Sequence, residues 1–386
     1  MTTGAGEVAR RADGVSRYGQ ADFEMPDATA ALIAEAVPEN TALAYRSRWR
    51  SFEAWCGQTG RVAIPATAQT VAVYLTHLAT ERGLKATSVD AHLTAIRAVH
   101  RSVGATPPDS LTARKIVVAA QRREAARDGR YGPRKAMAVM ASDLPTIVAV
   151  CDAETAAGLR DRAVVLLGFA LLARRSELSA LNISDIELVP AEGLAVTIRS
   201  SKTDQSARGV VRRIHYAANE QICPVRAVLA WTSFLAARDV TSGPLFTRID
   251  RWGNVGPAVG GRYPAGPTGD GRDGRLRPQA IGAIVAALCA SAGLSTRGPD
   301  GTQDILGILA TQGTASDVSG DAQVGERRRY SGHSLRRGGA TSMLKAGAQP
   351  LNVSRHGRWS DGSRSFVGYV EEAVGFGDDN PTLNLL

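Results

Sequence analysis

The chain has 386 residues, 44% of them hydrophobic, and a formal charge of +9 with a pI near 9.7. That length and apolar content suit two or three domains with proper cores and exclude a disordered chain. The charge makes a polyanionic partner a candidate, although a merely basic surface explains charge alone equally well. Cys56, Cys151, Cys223 and Cys289 lie far apart, without metal-ligand, redox or disulfide-framework spacing. They read as small core residues in a reducing compartment. The start, MTTGAGEVARRADG, lacks an apolar signal core, and no uncharged stretch reaches the ~20 residues of a membrane span.

Residues 1–26 are polar with scattered glycine and are expected to form a flexible arm. Asn40 or Thr41 can cap a helix whose apolar stripe is Tyr45, Trp49, Phe52 and Cys56, and which Gly57 and Gly60 end. Arg46 and Arg50 lie one turn apart on another face. A second helix is expected from about Thr67, carrying Val71, Leu75 and Leu78. A third starts at Thr87 with the stripe Val89, Leu93, Ile96, His100 and Val103. Asp90, Thr94, Arg97 and Arg101 line its other side at helical spacing. A helix around Leu111–Arg127 completes an all-helical module. Between Thr112 and Lys135 stand eight basic residues and two acidic ones, and RDGRYGPRKA reads as an exposed linker. The chain therefore divides into an arm (1–26), a helical module (27–128), a linker (129–138) and a second module (139–386).

The second module is expected to be mostly helical with one hairpin. The apolar run Ala163–Ala173 reads as a buried helix. Leu194–Arg199 and Gly209–Tyr216 read as strands, with SSKTDQSA turning between them. Pro224–Arg238 is a further helix. Gly253–Arg275, with eight glycines and three prolines, and Gly298–Gly325 are long loops of functional or disordered type.

Chemistry-bearing residues concentrate in this module. His333 and Arg336 are three apart on an expected helix, hence on one face; the pair is either a phosphate seat or an ordinary basic helix end. Arg174 follows the buried helix and has Glu177 three residues on. That pair is either a site or a structural ion pair, with Arg175 a competing candidate. Lys202, at the hairpin tip, can give a proton to a leaving oxygen or can be a solvated turn lysine. Tyr369, in FVGYV, is either a covalent nucleophile or a core aromatic on a terminal helix. Trp359 can donate one indole N–H to a phosphate oxygen. His356 lacks a metal-spaced partner and reads as structural. No metal cluster, phosphate loop or nucleotide fingerprint appears, in agreement with cofactor-free chemistry.

Taken in order, these residues resemble the tyrosine recombinase (phage integrase) family, most of all its Cre-like branch. RRSELSAL resembles the first arginine box, RYSGHSLRRGGATSMLKAG the second, and GRWS with VGYV the tryptophan and nucleophile segments. The likeness extends to RSFEAWC and AVHRSVG near the start and covers most of the chain from about residue 27. It implies a mainly α fold with a small β-sheet: a two-domain C-shaped DNA clamp, with a helical core-binding domain (27–128, SAM-like) and a catalytic domain (139–386). By the same resemblance, Arg174, Arg336, His333 and Trp359 bind the scissile phosphate, and Glu177 supports the site. Lys202 protonates the departing 5′ oxygen and Tyr369 forms a 3′-phosphotyrosyl bond. Arg46, Arg50, Lys85, Arg97 and Arg101 are candidate DNA contacts. LRPQAIGAIVAAL resembles the helix that enters the major groove, with Gln279 where the Cre-like pattern has arginine.

The implied function is site-specific recombination without a cofactor. The implied partner is double-stranded DNA with inverted-repeat target sites, bound by a homotetramer on paired sites, with no membrane. The expected setting is the cytoplasm, bacterial or phage-encoded and nucleoid-associated. A topoisomerase-like nicking enzyme of the same chemistry and a non-catalytic DNA-binding repressor are the alternatives. The chain departs from the pattern in two places. The spacing from Trp359 to Tyr369 is one residue longer, which the SDGS turn can absorb. The gap from Arg174 to His333 is also longer, through the glycine-rich loops. The tail TLNLL is expected to dock into a neighbouring subunit.

Overall fold

The computed structural model describes residues 26–29, 39–128, 136–199, 209–255, 273–294 and 330–375. Lys202, most of the expected arm and linker, most of both glycine-rich loops and the tail TLNLL lie outside the described residues. The chain divides into two compact units, Met1–Pro133 and Arg134–Leu386.

Among the described residues the first unit includes α1 (Glu39–Gln58), α2 (Ala68–Thr80), α3 (Ala86–Ser102) and α4 (Leu111–Asp128). Helices α2, α3 and α4 begin within a residue of their expected starts, whereas Asn40 and Thr41, the expected caps of α1, lie inside that helix, which already includes Glu39. Thr67 is the N-cap of α2, its side chain accepting the Thr70 N–H. The expected stripes meet in one core, where Phe52 and Cys56 of α1 pack with Tyr74 and Leu75 of α2 and Leu93 and Ile96 of α3. His100 is fully buried but satisfied: Nε2 accepts the Ala66 N–H at 2.9 Å and Nδ1 donates to the Ile96 carbonyl at 2.8 Å. The stripe stops there. Val103 is 60% exposed, because α3 ends at Ser102 and the chain turns away before the next core position.

The second unit contains α5 (Leu144–Ala149), α6 (Ala156–Ala170), α7 (Arg175–Ala180), a three-stranded sheet and α8 (Pro224–Ala236). It continues with α9 (Pro278–Ser291), α10 (Gly332–Lys345), α11 (Pro350–Gly357) and α12 (Arg364–Val374). The sheet is antiparallel in the order β1 (Ile186–Val189), β2 (Gly193–Ile198), β3 (Val210–His215), with Val196 opposite both Ile186 and Arg212. The expected hairpin is β2–β3. The extra strand β1 is only four residues long and half exposed, too short to show alternation.

The apolar run that reads as a buried helix forms the centre of this unit, but the helix stops at Ala170 rather than Ala173. Leu172 takes a left-handed conformation, φ +50°, and turns the chain into α7. This leaves the carbonyls of Ala170, Leu171 and Leu172 at the negative end of a buried helix, where each needs a donor. Helix α10 runs close to the same place because it carries glycine where its neighbours press hardest. A Cβ on Gly338 would stand 1.6 Å from the Val139 carbonyl oxygen, and one on Gly339 2.7 Å from that of Phe169. The pair Gly338–Gly339 thus lets α10 approach backbone that any side chain would hold off. No helix of the described residues is long and apolar enough to cross a membrane.

Candidate active site

The end of α6 collects the cationic side chains. Arg336, just past the first turn of α10, is 1% exposed and donates Nη1–H to the Leu172 carbonyl at 2.5 Å. Arg358 donates to the carbonyls of Leu171 and Leu172 at 3.3 and 3.4 Å. His356 Nε2 donates to Ala170 at 2.8 Å, which makes it structural, as its sequence context suggests. Each guanidinium or imidazole therefore satisfies an otherwise orphaned helix carbonyl while sitting where the helix dipole favours positive charge.

Arg174 is the N-cap of α7 and Glu177 its third residue. The Glu177 carboxylate is fully engaged. Its Oε1 accepts from Arg174 Nη1 at 2.5 Å; its Oε2 accepts the Arg174 backbone N–H at 2.8 Å and Arg358 Nη2–H at 2.7 Å. Burial pushes the Glu177 pKa up, but Arg358 and then the bonds and charge of Arg174 outweigh it and hold the group below its ordinary value. Arg175, the competing candidate, is exposed and packs its stem against Gly332 instead.

Burial, reinforced by the charge of Arg174, pushes Arg336 down to about 9, so it remains a cation at neutral pH. Its guanidinium lies 3.8 Å from the centre of the Trp359 ring, a cation–π contact. Its Nη2 has no hydrogen-bond partner among the described residues. The guanidiniums of Arg174 and Arg358 thus bind the Glu177 carboxylate, and that of Arg336 feels its charge without a bond to it. Such a concentration of positive charge is costly to keep dry and is suited to an incoming anion.

Tyr369, on α12, faces this cluster. Its ring meets that of Trp359 edge-on at 5.7 Å, and its Oη lies 2.8 Å from His333 Nε2. His333 stands in the first turn of α10, after the Ser331 cap, on an exposed rim. Protein atoms crowding the ring, followed by the charges of Arg336, Arg174 and Arg337, lower its pKa and favour the neutral base. Burial raises the Tyr369 phenol, with Arg336 and Arg337 pulling the other way. The five-residue stretch from Trp359 to Ser363 forms the turn before α12, and the register that follows it carries Tyr369 to His333. Arg337 donates to Glu372 at 2.8 Å and also reaches the Ala136 carbonyl, fixing α12 against α10.

The structure therefore brings together Arg174, Glu177, His333, Arg336, Trp359 and Tyr369. Arg358 joins them and was not among the sequence candidates; a lone arginine before tryptophan reads as a surface charge. Among the expected DNA contacts, Arg46, Arg50, Lys85 and Arg101 are exposed. Arg97 is only half-buried, and its guanidinium is bonded to the Pro108 carbonyl. Gln279 is exposed in the first turn of α9, after Arg277 and Pro278.

No protein-family model matches the chain. An integrase/recombinase XerD homolog of Selenomonas ruminantium is 27% identical over 341 residues, 88% of this chain and 84% of that protein. The recombinase Cre of Escherichia phage P1 is 24% identical over 328 residues, 85% and 82% of the two chains. Among solved structures, lambda integrase (residues 75–356) bound to DNA matches with a TM-score of 0.50 at 13% identity, covering 92% of this chain and 96% of that one. That last likeness is one of fold. Both curated relatives are recombinases, and the ordered site described above is similar to that of the tyrosine recombinases.

Proposed function

We propose that the chain is a site-specific DNA recombinase that cleaves and rejoins duplex DNA through a 3′-phosphotyrosyl intermediate. The observation that carries this reading is the 2.8 Å contact between the Tyr369 hydroxyl and His333 beside the buried Arg336 cation. The phenol is protonated at neutral pH and needs a base in reach as it attacks; the neutral imidazole supplies one. Attack forms an O–P bond from Tyr369 to the scissile phosphorus and breaks the bond to the 5′ oxygen. That oxygen leaves with a proton from Lys202 and later reattacks as a 5′ hydroxyl, so the phosphodiester is restored without an external energy source.

Negative charge grows on the non-bridging oxygens during both steps. Arg336 Nη2, the guanidinium of Arg174 and the indole N–H of Trp359 are the donors assigned to them. Glu177 fixes Arg174 rather than touching the phosphate. Arg336 and Tyr369 are only 1% and 4% exposed, so a phosphodiester reaches them only when the α12 segment shifts from the cluster.

The partner in this reading is double-stranded DNA with inverted-repeat sites, contacted by the helical module (27–128) and by the catalytic module (139–386). The assembly is a tetramer on paired sites, working in the cytoplasm. A DNA substrate carrying two copies of the target tests it: recombinant product is expected. Supercoil relaxation without recombinants would instead indicate a nicking enzyme, and binding without cleavage a repressor.

Gln279 is assigned a base-reading role on α9. Glutamine pairs well with adenine and arginine with guanine, each good pair being worth ~1–3 kcal/mol of discrimination. Binding selection with Gln279→Arg is expected to change the preferred base at one position of each half-site from A to G. An unchanged selected site would remove Gln279 from base readout.

A further inference from the structure

The side chain of Arg358 does work that its place in the sequence does not suggest. It occupies the C-cap of α11 in a left-handed conformation, φ +59°, where glycine is the easy choice. An arginine there carries a backbone cost, and its guanidinium is buried as well. The compensation is a set of contacts that converge on the candidate site. Nη2 pairs with Glu177 Oε2 at 2.7 Å, and both terminal nitrogens reach the end of α6. The opposite oxygen of the same carboxylate holds Arg174. Arg358 also shares the Leu172 carbonyl with Arg336 and directly precedes Trp359, whose ring lies against Arg336.

We infer that Arg358 is a positioning residue for strand cleavage: through Glu177 it fixes the direction of Arg174, and through its left-handed turn it sets Trp359 against Arg336. Without it, Glu177 is held from one side only and can rotate with Arg174. The residue does not touch the reacting atoms. A second feature supports the assignment. Arg212, from β3, donates to the carbonyls of His356 and Arg355 at 3.0 and 2.5 Å, so the turn that presents Arg358 is itself braced by the sheet. A side chain that served only to fill space would not need a two-sided carboxylate and a braced turn.

This inference rests on the recombinase reading, and its test has two arms that separate the two. Arg358→Gly suits the left-handed backbone and removes only the side chain. In the first arm, the full chain cleaves a nicked duplex bearing the site that it selects from random-sequence DNA, in a single turnover. Cleavage by Arg358→Gly is expected to fall about 10- to 100-fold with DNA affinity retained, the scale of a small misplacement of a reacting-site group. Combined with Glu177→Gln, the loss should be little larger than the greater single loss, because both changes release the same arginine. Losses that multiply, or a variant as fast as the wild type, would overturn the inference. The second arm needs no DNA. Denaturant unfolding of Arg358→Gly, Arg174→Met and the double variant is expected to give non-additive stabilities, because both arginines bind the Glu177 carboxylate. Additive stabilities would overturn the inference even if the wild type proved unable to cleave, a result that would by itself reject only the recombinase reading.

Discussion

Tyr369→Phe is expected to abolish covalent attachment to DNA while leaving fold and DNA affinity almost unchanged. The phenyl ring keeps the edge-on contact with Trp359 and the core contacts around Phe366, so packing is preserved. What is lost is one hydroxyl with a 2.8 Å contact to His333, an interaction of about 1 kcal/mol for stability. For chemistry the loss is expected to be total, because among the described residues Tyr369 carries the hydroxyl that contacts His333. Single-turnover trapping on a nicked duplex reads the difference: the wild type accumulates a protein–DNA adduct and the variant none, at equal binding. An adduct of undiminished yield in the variant would move the nucleophile elsewhere.

Arg336→Lys is expected to slow cleavage by about 10²–10³ with little change in binding, the usual cost of losing a fixed donor aimed at developing charge. The guanidinium does three things at once. Nη1 satisfies the Leu172 carbonyl, its face lies on Trp359, and Nη2 has no hydrogen-bond partner among the described residues. An ammonium keeps the charge but lacks the rigid planar fork that fixes Nη1 on the Leu172 carbonyl while Nη2 points elsewhere. Lysine is also the informative choice for stability, since truncation would leave a buried cavity as well as a carbonyl short of a donor. The same trapping assay, run as a time course, measures the loss. A rate equal to the wild type would show that Arg336 serves only to close the end of α6.

Much of this site was legible in the sequence because it depends on residue order and local spacing. His333 and Arg336 share a helix face at i, i+3, and Glu177 sits at the third position of a capped helix. The helical faces of the first unit were legible for the same reason, including the start of α2 near Thr67. What could not be read depends on tertiary approach. Arg358 meets Glu177 across 181 residues, and only the left-handed turn folds it inward. The glycines at 338 and 339 look like helix weaknesses until the backbone of Val139 and Phe169 is set against them. Strand β1 exists because β2 is there to pair with it, and Val103 is exposed because α3 ends one residue earlier. Arg97 fitted the exposed stripe of α3, yet its guanidinium is bonded to the chain that follows, at Pro108.

The central claim is that Tyr369 is the atom-donating nucleophile of a strand-transfer reaction. Its most direct test is to trap the full chain on the nicked duplex, digest with trypsin and locate the nucleotide by mass spectrometry. Cleavage after Arg364 releases the remainder of the chain, in which Tyr369 is the only tyrosine. The account predicts a 3′-phosphonucleotide on that tyrosine. A nucleotide on Tyr330 or on a serine, or no adduct on the site that the chain selects, would contradict it.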